Sequence, residues 1–456
     1  MMPVPSLPRS DRRIVDVRSR RVWDSRGRPT VEVEVGLAGG ATGRAIAPAG
    51  ASTGSGEAVD LRDGGMAFGG LDVTRAVAAV EREIGPALLG LDAADQEACD
   101  RRMIALDGTA ERSRLGGNAL VAASMALAHA AAGAVGEPLW AWLAAMSPGG
   151  VARARLPLPE IQIFGGGAHA GGRLEVQDFM VIAVGAEDWR TALDWTAEVY
   201  RHAGALLARE GRLRGVADEG GWWPAFDDNE HALRMLVAAI EAAGLRPGED
   251  VAISLDVAAS NFGRADGYRI AAPGTPRVPG ATLSGERLAD MLLGWIARWP
   301  VVAIEDPLAE DDLDGLTRFT AAAPPGVQVV LDDAIVTRDD RIRAHAAAGA
   351  GDTALIKPNQ AGTLTEARLA LEAAREAGWD AIVSARSGET EDVTIVHLAV
   401  GWGVRQLKVG SFSRSERMAK WNEGLRIGER LAGGFALPGR ESFPWGGRTA
   451  RVRPTR

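Results

Sequence analysis

Six charged residues in the second half of the sequence each end or closely follow a short apolar run. An apolar strand needs no charged residue at its end for stability, so each of these positions needs another explanation. A single acid can simply face the first turn of the next helix, but three acids and three bases in the same structural place indicate a reactive site. The residues are Asp256, Glu305, Asp332, Lys357, Arg386 and Lys408.

The three acids suit a metal ion. Carboxylates that converge on one point repel one another and raise each other's pKa unless a cation neutralises them. Oxygen-only ligands are the preference of Mg²⁺, and the sequence has no histidine or cysteine cluster that would favour zinc. We therefore predict that Asp256, Glu305 and Asp332 bind Mg²⁺.

The three bases indicate an anionic substrate. Arg386 can bind a phosphate or carboxylate through two parallel hydrogen bonds. A lysine that is crowded by other cations and partly desolvated has a lowered pKa and can act as a general base. A metal-bound carboxylate beside such a base is the arrangement that removes a proton from the carbon next to that carboxylate.

Two further segments could complete this chemistry. Glu219 lies in the glycine-rich sequence Asp218-Glu219-Gly220-Gly221, and an acid that faces a base across the substrate is what β-elimination of a poor leaving group requires. Residues 47–56 are small and rich in Gly and Ser, which suits a mobile lid whose Ser52 hydroxyl is a candidate ligand of a second metal ion. An isolated loop of this composition is also typical of a plain surface turn.

A repeating strand–helix pattern positions the charged residues. Asp332 lies 27 residues after Glu305, and Lys357 lies 25 residues after Asp332, which suits one strand and one helix per interval. Buried strands that alternate with helices form parallel sheets, and this number of units in about 300 residues favours a closed (β/α) barrel. Active sites of such barrels lie at the carboxyl ends of the strands, where the charged residues stand.

The first part of the chain has a different pattern. Residues 30–35 alternate apolar and polar side chains in the manner of a strand, and residues 72–145 are alanine-rich with helical spacing. A Pro/Gly-rich segment over 147–159 marks a boundary. We predict a flexible extension over 1–13, an α+β domain over 14–150, a barrel over 151–438, and a loosely held basic tail over 439–456.

Composition limits the classes of function. The chain has 456 residues, of which 46% are hydrophobic and 24% charged, and its formal net charge is −9, which is the balance of a folded globular protein. A mildly acidic chain is a poor candidate for binding nucleic acid or a membrane surface, and no uninterrupted apolar run reaches about 18 residues. The single cysteine, Cys99, excludes an internal disulfide framework and fits a reducing compartment. We expect a cytoplasmic protein that acts on a small anionic molecule.

The candidate residues belong to a longer series of matching segments. The chain resembles the enolase (phosphopyruvate hydratase) family from about residue 15 to residue 431, nearly its whole length. Each segment alone gives modest support, whereas all of them in order give strong support. The segments are 24–30 (DSRGRPT), 50–54 (GASTG), 61–64 (LRDG), 218–221 (DEGG), 304–307 (IEDP), 359–364 (NQAGTL), 387–392 (SGETED) and 414–417 (RSER).

The resemblance implies an α/β, enolase-like fold, in which an N-terminal α+β capping domain precedes a (β/α)8-type barrel that begins with two antiparallel strands. It implies a homodimer or larger assembly, and two Mg²⁺ ions, one bound by the three strand-end acids and one by Ser52. It also implies roles for the other residues: Lys357 as the base that takes the C2 proton, Glu219 as the acid at C3, Lys408 beside the substrate carboxylate, Arg386 and Ser387 at the phosphate, and His169, Gln177 and Asp178 facing the substrate.

The chain departs from the family pattern on one side of the expected site. Ala385 stands where enolases have histidine, Asp178 where they usually have glutamate, and Ala49 where the lid has serine. The segment Phe164-Gly165-Gly166-Gly167 stands where Asn-Gly-Gly is expected. The metal ligands, the base and the anion-binding residues are kept. The side of the leaving group, in contrast, loses side-chain volume.

Three functions are compatible with this pattern. The substitutions favour an enzyme resembling carboxyphosphonoenolpyruvate synthase of phosphinate antibiotic biosynthesis, which acts on 2-phosphoglycerate or a close analogue and whose product carries a carboxyphosphonyl group in place of phosphate. The alternative is an ordinary enolase that dehydrates 2-phosphoglycerate to phosphoenolpyruvate. A non-catalytic paralogue is the third interpretation, and it is disfavoured because Lys357, Lys408, Glu219 and the three acids are all present.

Overall fold

A computed structural model of the protein describes residues 10–147, 150–270 and 282–447. It confirms the predicted fold class, because a small α+β domain precedes a closed barrel of strands and helices. The predicted extension over 1–13 and the predicted tail over 439–456 fall partly outside the described residues.

The N-terminal domain is a three-stranded antiparallel sheet covered by helices. Its elements are β1 (Ile14–Trp23), β2 (Pro29–Leu37), β3 (Thr42–Ile46), α1 (Thr74–Ala79), α2 (Gly85–Leu88), α3 (Gln96–Asp107), α4 (Gly117–Ala134) and α5 (Leu139–Ala145). The alternation seen in the sequence buries Val31, Val33 and Val35 in β2. The alanine-rich α4 packs on β2 and β3, and Gly43 permits this approach, because a Cβ atom there would lie 2.1 Å from the backbone nitrogen of Ala130.

Helix α4 is the one helix within the described residues that is long and apolar enough to cross a membrane. From the sequence we expected no candidate membrane span, because no uninterrupted apolar run is long enough. Helix α4 meets the criterion because its many Ala and Leu residues keep the mean hydropathy high despite the polar side chains of Asn118, Ser124 and His129. Most of the helix is buried inside the protein. We therefore interpret α4 as the core helix of the domain.

The remaining strands build the barrel and two small hairpins at its rim. They are β4 (Leu158–Gly165), β5 (Asp178–Ile182), β6 (Leu213–Val216), β7 (Trp222–Pro224), β8 (Ala252–Asp256), β9 (Gly263–Arg264), β10 (Gly267–Tyr268), β11 (Val301–Glu305), β12 (Gln328–Leu331), β13 (Thr353–Ile356), β14 (Asp380–Ser384) and β15 (Gln406–Ser411).

Eight of these strands close a ring in the order β4, β5, β8, β11, β12, β13, β14 and β15, and β15 pairs with β4. Strand β5 is antiparallel to both β4 and β8, whereas the other neighbours in the ring are parallel. Because β5 runs the opposite way, its first residue lies at the edge where the parallel strands end. The barrel therefore begins with two antiparallel strands, as predicted.

Helices surround the barrel, and most of the longer ones begin at a side chain that accepts a backbone N–H. Caps of this kind are Asp188, Asp228, Ser284, Asp312 and Thr363, which satisfy donors that the first turn leaves unpaired. The helices are α6 (Trp189–Arg209), α7 (Asn229–Ala242), α8 (Gly285–Arg298), α9 (Leu313–Ala322), α10 (Asp339–Ala348), α11 (Pro358–Ala361), α12 (Leu364–Glu376), α13 (Thr394–Gly401) and α14 (Ser415–Gly428).

Both predicted terminal segments are ordered over the part that the structure describes. Backbone hydrogen bonds hold Arg12 to Ala93 (3.0 Å) and Arg13 to Ala38 (2.9 Å), so 10–13 are not a flexible extension. At the other end, residues 440–442 and 444–447 form 3-10 turns. Trp445 is fully buried there and stacks on Phe443, with ring centroids 4.7 Å apart.

The prediction of a loose tail is therefore wrong up to residue 447. Trp445 and Phe443 pack against Leu158, Val302 and neighbouring residues at the amino ends of the parallel strands, so this segment covers the bottom of the barrel. The sequence did not indicate this because two aromatic residues among glycines and arginines have no helical or strand period. Two large aromatic side chains bury enough apolar area to hold so short a segment.

Candidate active site

The three predicted metal ligands come together at neighbouring strand ends. Asp256 is the last residue of β8, Glu305 is the last residue of β11, and Asp332 directly follows β12. Asp256 and Glu305 are paired in the register of their strands. All three are buried, so this part of the site is a cluster of acids enclosed by the protein.

Two lysines neutralise this acidic cluster. The Nζ of Lys408 lies 2.8 Å from Asp256 and 2.7 Å from Glu305, and the Nζ of Lys357 donates to Asp332. Burial alone would lower the pKa of Lys408, but the carboxylates of Asp256 and Glu305 raise it well above its usual range. Burial, followed by the nearby charge of Asp256, raises the pKa of Glu305 well above its usual range.

The same acids fit a divalent cation. In the part of the chain that the structure describes, the Oε1 atom of Glu305 is buried without a hydrogen-bond partner. Leaving a buried carboxylate oxygen unpaired is costly, and a bound ion would satisfy it. The donors of Asp256, Glu305 and Asp332 are all carboxylate oxygens, which is the ligand type that Mg²⁺ prefers.

A second group of acids lies beside the first. Carboxylate oxygens of Asp306, Asp332 and Asp333 lie within 4.8 Å of one another. Asp306, however, accepts the backbone N–H groups of Asp332 (2.9 Å) and Asp333 (2.8 Å), and its φ of 41° turns the backbone back toward them. We therefore interpret Asp306 as a residue that positions Asp332, and Asp333 as a neighbour whose pKa burial and the charge of Asp332 raise to about 7.

Lys357 does not have the lowered pKa that we expected from crowding by cations. Burial is the largest influence and lowers its pKa, and Arg386 acts in the same direction, but the carboxylates of Asp332 and Glu305 act against them, and the pKa is raised. The sequence shows the cations but not this ion pair. The pair forms because β12 and β13 are adjacent and parallel, which places their carboxyl ends side by side.

The turn that carries Glu219 joins β6 to β7 and lies beside the end of β15. The backbone carbonyl of Glu219 accepts the N–H of Ser411 (2.9 Å), and the N–H of Gly221 donates to the side chain of Gln162 (2.8 Å). A Cβ atom on Gly221 would lie 2.3 Å from the Oε1 atom of Gln162. The glycines after Glu219 therefore allow the turn to close over Gln162.

Gln177 and Asp178 lie at the site because β5 runs antiparallel to its neighbours. The Nε2 atom of Gln177 donates to Asp256 (3.0 Å), so this side chain supports a predicted metal ligand. Asp178 accepts a hydrogen bond from the Nε2 atom of Gln162 and lies 3.9 Å from the Nζ of Lys408. Gln162 thus connects Asp178 to the Glu219 turn.

Arg386 and Ser387 follow β14. The guanidinium of Arg386 donates to Glu57 (3.0 Å and 3.3 Å) and to the backbone carbonyl of Ser52 (2.9 Å). The hydroxyl of Ser387 accepts from Arg26 (3.2 Å). Both residues are buried, and this end of the site joins barrel residues to the capping domain.

The predicted lid lies against this same end of the barrel. Ala49 pairs with Gly388 through two backbone hydrogen bonds of 2.9 Å and 2.8 Å, a contact that needs no side chain at position 49. Ser52 lines the cleft together with Lys357, Glu219 and Lys408. The lid segment is therefore part of the wall of the site.

On the side of the cleft assigned to the leaving group, the lining beside Glu219 and Asp178 is made of small or backbone groups. Ala385 contributes a methyl group, and Val409 and Gly410 lie nearby. His169 belongs to the 3-10 turn Gly167–Ala170, and its side chain lies outside the described residues. Gly165, the last residue of β4, leaves no side chain at that strand end.

Sequence reasoning missed several residues that hold the site together. Four of them bond candidate residues, namely Glu57, Gln162, Asp306 and Gln360. Two lie close enough to interact with candidate residues through their charge, namely Glu160 and Asp333. Asp306 and Asp333 each directly follow a predicted ligand in the sequence, which was a usable signal. Gln162 and Glu160 lie in an apolar strand, where an interior polar residue is itself a signal of a special role.

Two family models match the chain along nearly its whole length. The model described as "Enolase, N-terminal domain" matches residues 14–143, and the model described as "Enolase, C-terminal TIM barrel domain" matches residues 153–444. The lid, Glu57 and the small antiparallel sheet lie in the first match, and the strand-end acids and bases lie in the second. The chain belongs to the enolase family and is an enzyme of the enolase superfamily.

Proposed function

We propose that the enzyme removes the C2 proton of 2-phosphoglycerate, or of a close analogue, to give an enolpyruvate product. The observation that carries the proposal is that Lys357, Glu219, Lys408, Arg386 and Asp256 line one cleft. They supply a base, an acid, two cations and a metal-binding carboxylate. These are the groups needed to remove a proton beside a carboxylate and to expel a group from the next carbon.

Asp256, Glu305 and Asp332 would hold one Mg²⁺ ion, and Ser52 would be a ligand of a second. Bound there, the ions would stabilise negative charge on the substrate carboxylate. Lys408, held among the strand-end acids, can pair with that carboxylate. Arg386 can bind the phosphate through the N–H groups that Glu57 and Ser52 do not use.

Lys357 and Glu219 divide the proton transfers between them. The Nζ of Lys357 accepts the C2 proton, which requires Asp332 to be engaged by another cation, because the ion pair favours the charged lysine. Glu219 donates a proton to the group that leaves C3. The two side chains come from different elements, Lys357 after β13 and Glu219 between β6 and β7, so each can be altered without moving the other.

Within this chemistry we propose a reaction like that of carboxyphosphonoenolpyruvate synthase, in which a phosphonoformyl group passes from its carrier to the oxygen on C2 and the phosphoryl group on that oxygen leaves on the carrier. Two features support this proposal. Ala385 contributes only a methyl group to the cleft, and the side chain of Asp178 is bonded to Gln162, so side chains occupy little volume near the group that leaves. Dehydration of 2-phosphoglycerate is the alternative, because its base, acid and anion-binding residues are all in the cleft. A non-catalytic role explains none of these groups.

The test separates the two partial reactions. The purified protein is incubated with Mg²⁺ and 2-phosphoglycerate in deuterated water, and C2 deuterium incorporation is followed together with phosphoenolpyruvate absorbance. We expect exchange that outpaces dehydration, and product formation when a phosphonoformyl donor is added. Rapid dehydration would establish an ordinary enolase, and absence of both reactions would overturn the proposal.

The variant Ala385→His is the matched control for the leaving-group side. We expect the added imidazole to fill the cleft and to lower turnover with the phosphonoformyl donor while C2 exchange persists. Full dehydration by Ala385→His, together with no reaction of the unaltered protein on any phosphonoformyl donor, would exclude the synthase-like reaction.

A further inference from the structure

Glu57 lies directly after the lid segment and is buried against Arg386. Its two carboxylate oxygens accept from both terminal nitrogens of the guanidinium, at 3.0 Å and 3.3 Å. The same carboxylate accepts the backbone N–H of Gly54 at 2.9 Å, which belongs to the lid. One side chain therefore binds the lid backbone and the proposed anion-binding residue at once.

Arg386 is itself attached to the lid a second time. Its Nη2 atom donates to the carbonyl of Ser52 (2.9 Å) as well as to Glu57. A Cβ atom on Gly50 would lie 2.1 Å from the same nitrogen, so only glycine at this position allows the lid backbone to come so near. Of the five N–H groups of an arginine, these contacts leave some for a ligand, so anion binding and lid contact can occur together.

The contacts of Glu57 also reach the acid–base side of the cleft. Gln360 donates to Glu57 (3.3 Å) and to Asp332 (2.9 Å), and it accepts from the hydroxyl of Thr337 (2.7 Å). That hydroxyl in turn accepts the backbone N–H of Lys357 (2.9 Å). Gln360 and Thr337 are both almost fully buried, so this chain of hydrogen bonds is enclosed by protein.

Part of the lid borders open space. A cavity of about 290 Å³ lies under it, lined by Gly50, Thr53, Gly54 and Glu57 and by Asn118 and Asn359 of the surrounding elements. With this space behind it, the segment has room to move away from the barrel. Several bonds hold it over the site. They include those of Ala49 to Gly388, that of the Ser55 N–H to Glu310 (2.9 Å) and those of the Glu57–Arg386 pair.

We propose that Glu57 is a positioning residue that couples the position of the lid to anion binding at Arg386. An anion that binds Arg386 fixes the guanidinium, and through Glu57 and Ser52 it also fixes the lid over the cleft. By reciprocity, a lid held in this position presents Arg386 in a fixed plane and raises its affinity for the anion. The inference rests on the proposed role of Arg386 as the anion-binding residue, but not on which reaction follows.

Hydrogen–deuterium exchange with inorganic phosphate as the probe tests the coupling without turnover. We expect phosphate to slow exchange of the lid amides over 49–58 in the unaltered protein by about fivefold or more. In Glu57→Gln the amide group cannot hold both guanidinium nitrogens, and we expect phosphate to bind but to slow lid exchange by less than about twofold. Glu57→Asp keeps the charge on a shorter side chain, and in this variant we expect phosphate to slow lid exchange by an intermediate factor. It tests the same coupling if Glu57→Gln fails to fold.

Asp60→Asn is the matched control. Asp60 lines the same cavity, and its recorded partners among the described residues are Arg62 and Asn118, so the variant loses one nearby negative charge without touching Arg386. We expect it to behave as the unaltered protein does. Equal phosphate protection in Glu57→Gln, or no phosphate protection of the unaltered lid, would overturn the coupling.

Arg386→Lys separates failure of the coupling from failure of the proposed function. We expect this variant to lose phosphate binding and lid protection together, because an ammonium cannot make the paired contacts of a guanidinium. Unchanged phosphate binding would show that Arg386 is not the anion site and would overturn both proposals. Lid protection by phosphate in a protein that does not turn over 2-phosphoglycerate would leave the coupling standing and reject only the reaction.

Discussion

The half of the cleft that holds the proposed base and the proposed anion-binding residues is built differently from the half assigned to the leaving group. On the first side, Lys357, Lys408 and Arg386 each have a buried carboxylate partner. On the second side, the lining includes the methyl group of Ala385 and the backbone of Gly410. Charged groups in such pairs cannot be replaced singly without leaving an unpaired charge, whereas small residues can change without that penalty. The leaving-group side is therefore where this enzyme can differ from its family.

Removal of the base gives the largest effect that this comparison predicts. In Lys357→Met no amine remains to take the C2 proton, and we expect deuterium incorporation at C2 to fall by about 10³- to 10⁴-fold. Dehydration or transfer should fall with it, because both follow proton removal. The measurement is C2 exchange with 2-phosphoglycerate and Mg²⁺ in deuterated water.

Lys357→Arg is the control for charge. A guanidinium retains a cation beside Asp332 but remains protonated at neutral pH, so exchange should be lost in this variant as well. Exchange that survives in Lys357→Arg would show that the base is another residue and would remove the basis for dividing the cleft into two halves.

Glu219→Gln should separate the halves. The amide cannot donate a proton to the leaving group as a carboxylic acid does, and we expect product formation to fall by about 10²- to 10³-fold. C2 exchange should stay within about threefold of the unaltered protein, because Lys357 and its partners lie on other strands. Asp218→Asn removes the neighbouring acid of the same turn and should change neither rate to a comparable extent. A parallel loss of exchange and product formation in Glu219→Gln would contradict the division.

The sequence predicted only part of the half that holds Lys357 and Arg386. The strand-end residues were predicted because the carboxyl ends of parallel strands meet at one edge, so the order of the chain fixes their neighbourhood. The ion pair that raises the pKa of Lys357 was missed, since it depends on the reach of two side chains. Glu57 was missed because its partner, Arg386, lies more than three hundred residues away in the sequence.

Prediction of the fold from the sequence has the same limit. The barrel and the capping domain follow from apolar runs and helical spacing that extend over many residues. The segment over 440–447 has no such period, yet Trp445 is fully buried beneath the barrel. Contacts that rest on one or two side chains carry no repeating signal, so only the folded structure reveals them.

A variant outside both halves gives the baseline for these comparisons, and its expected effect on the two reaction rates is the smallest. Asp100 of α3 joins the capping domain to the barrel by accepting the backbone N–H (3.0 Å) and the hydroxyl (2.7 Å) of Thr365 in α12. Gln96 donates to the same carboxylate (3.1 Å). Complete burial raises the pKa of Asp100 from 3.8 to about 6, so the folded protein keeps this proton up to a higher pH than the unfolded chain does.

The sign of the resulting pH dependence follows from linkage. The folded protein holds this proton more tightly than the unfolded chain, so the stabilisation is complete below about pH 4 and is lost as the pH rises through about 6. The shift corresponds to about 3 kcal/mol in the free energy of unfolding. Asp100→Asn has no proton to lose, so the stability of the variant relative to the unaltered protein should rise by most of that amount between pH 4 and pH 7.

Denaturant unfolding of both proteins across this pH range measures the difference. The acids of the active site titrate in both proteins, so their contribution cancels in the comparison. Asp100→Asn should leave the ratio of C2 exchange to product formation unchanged, because Asp100 touches neither half of the cleft. A stability difference that stays constant with pH would mean that Asp100 ionises as an ordinary carboxyl. A changed ratio would mean that the contact between Asp100 and Thr365, which joins the two domains, affects the chemistry. The two halves of the cleft could then no longer be treated as independent of the capping domain.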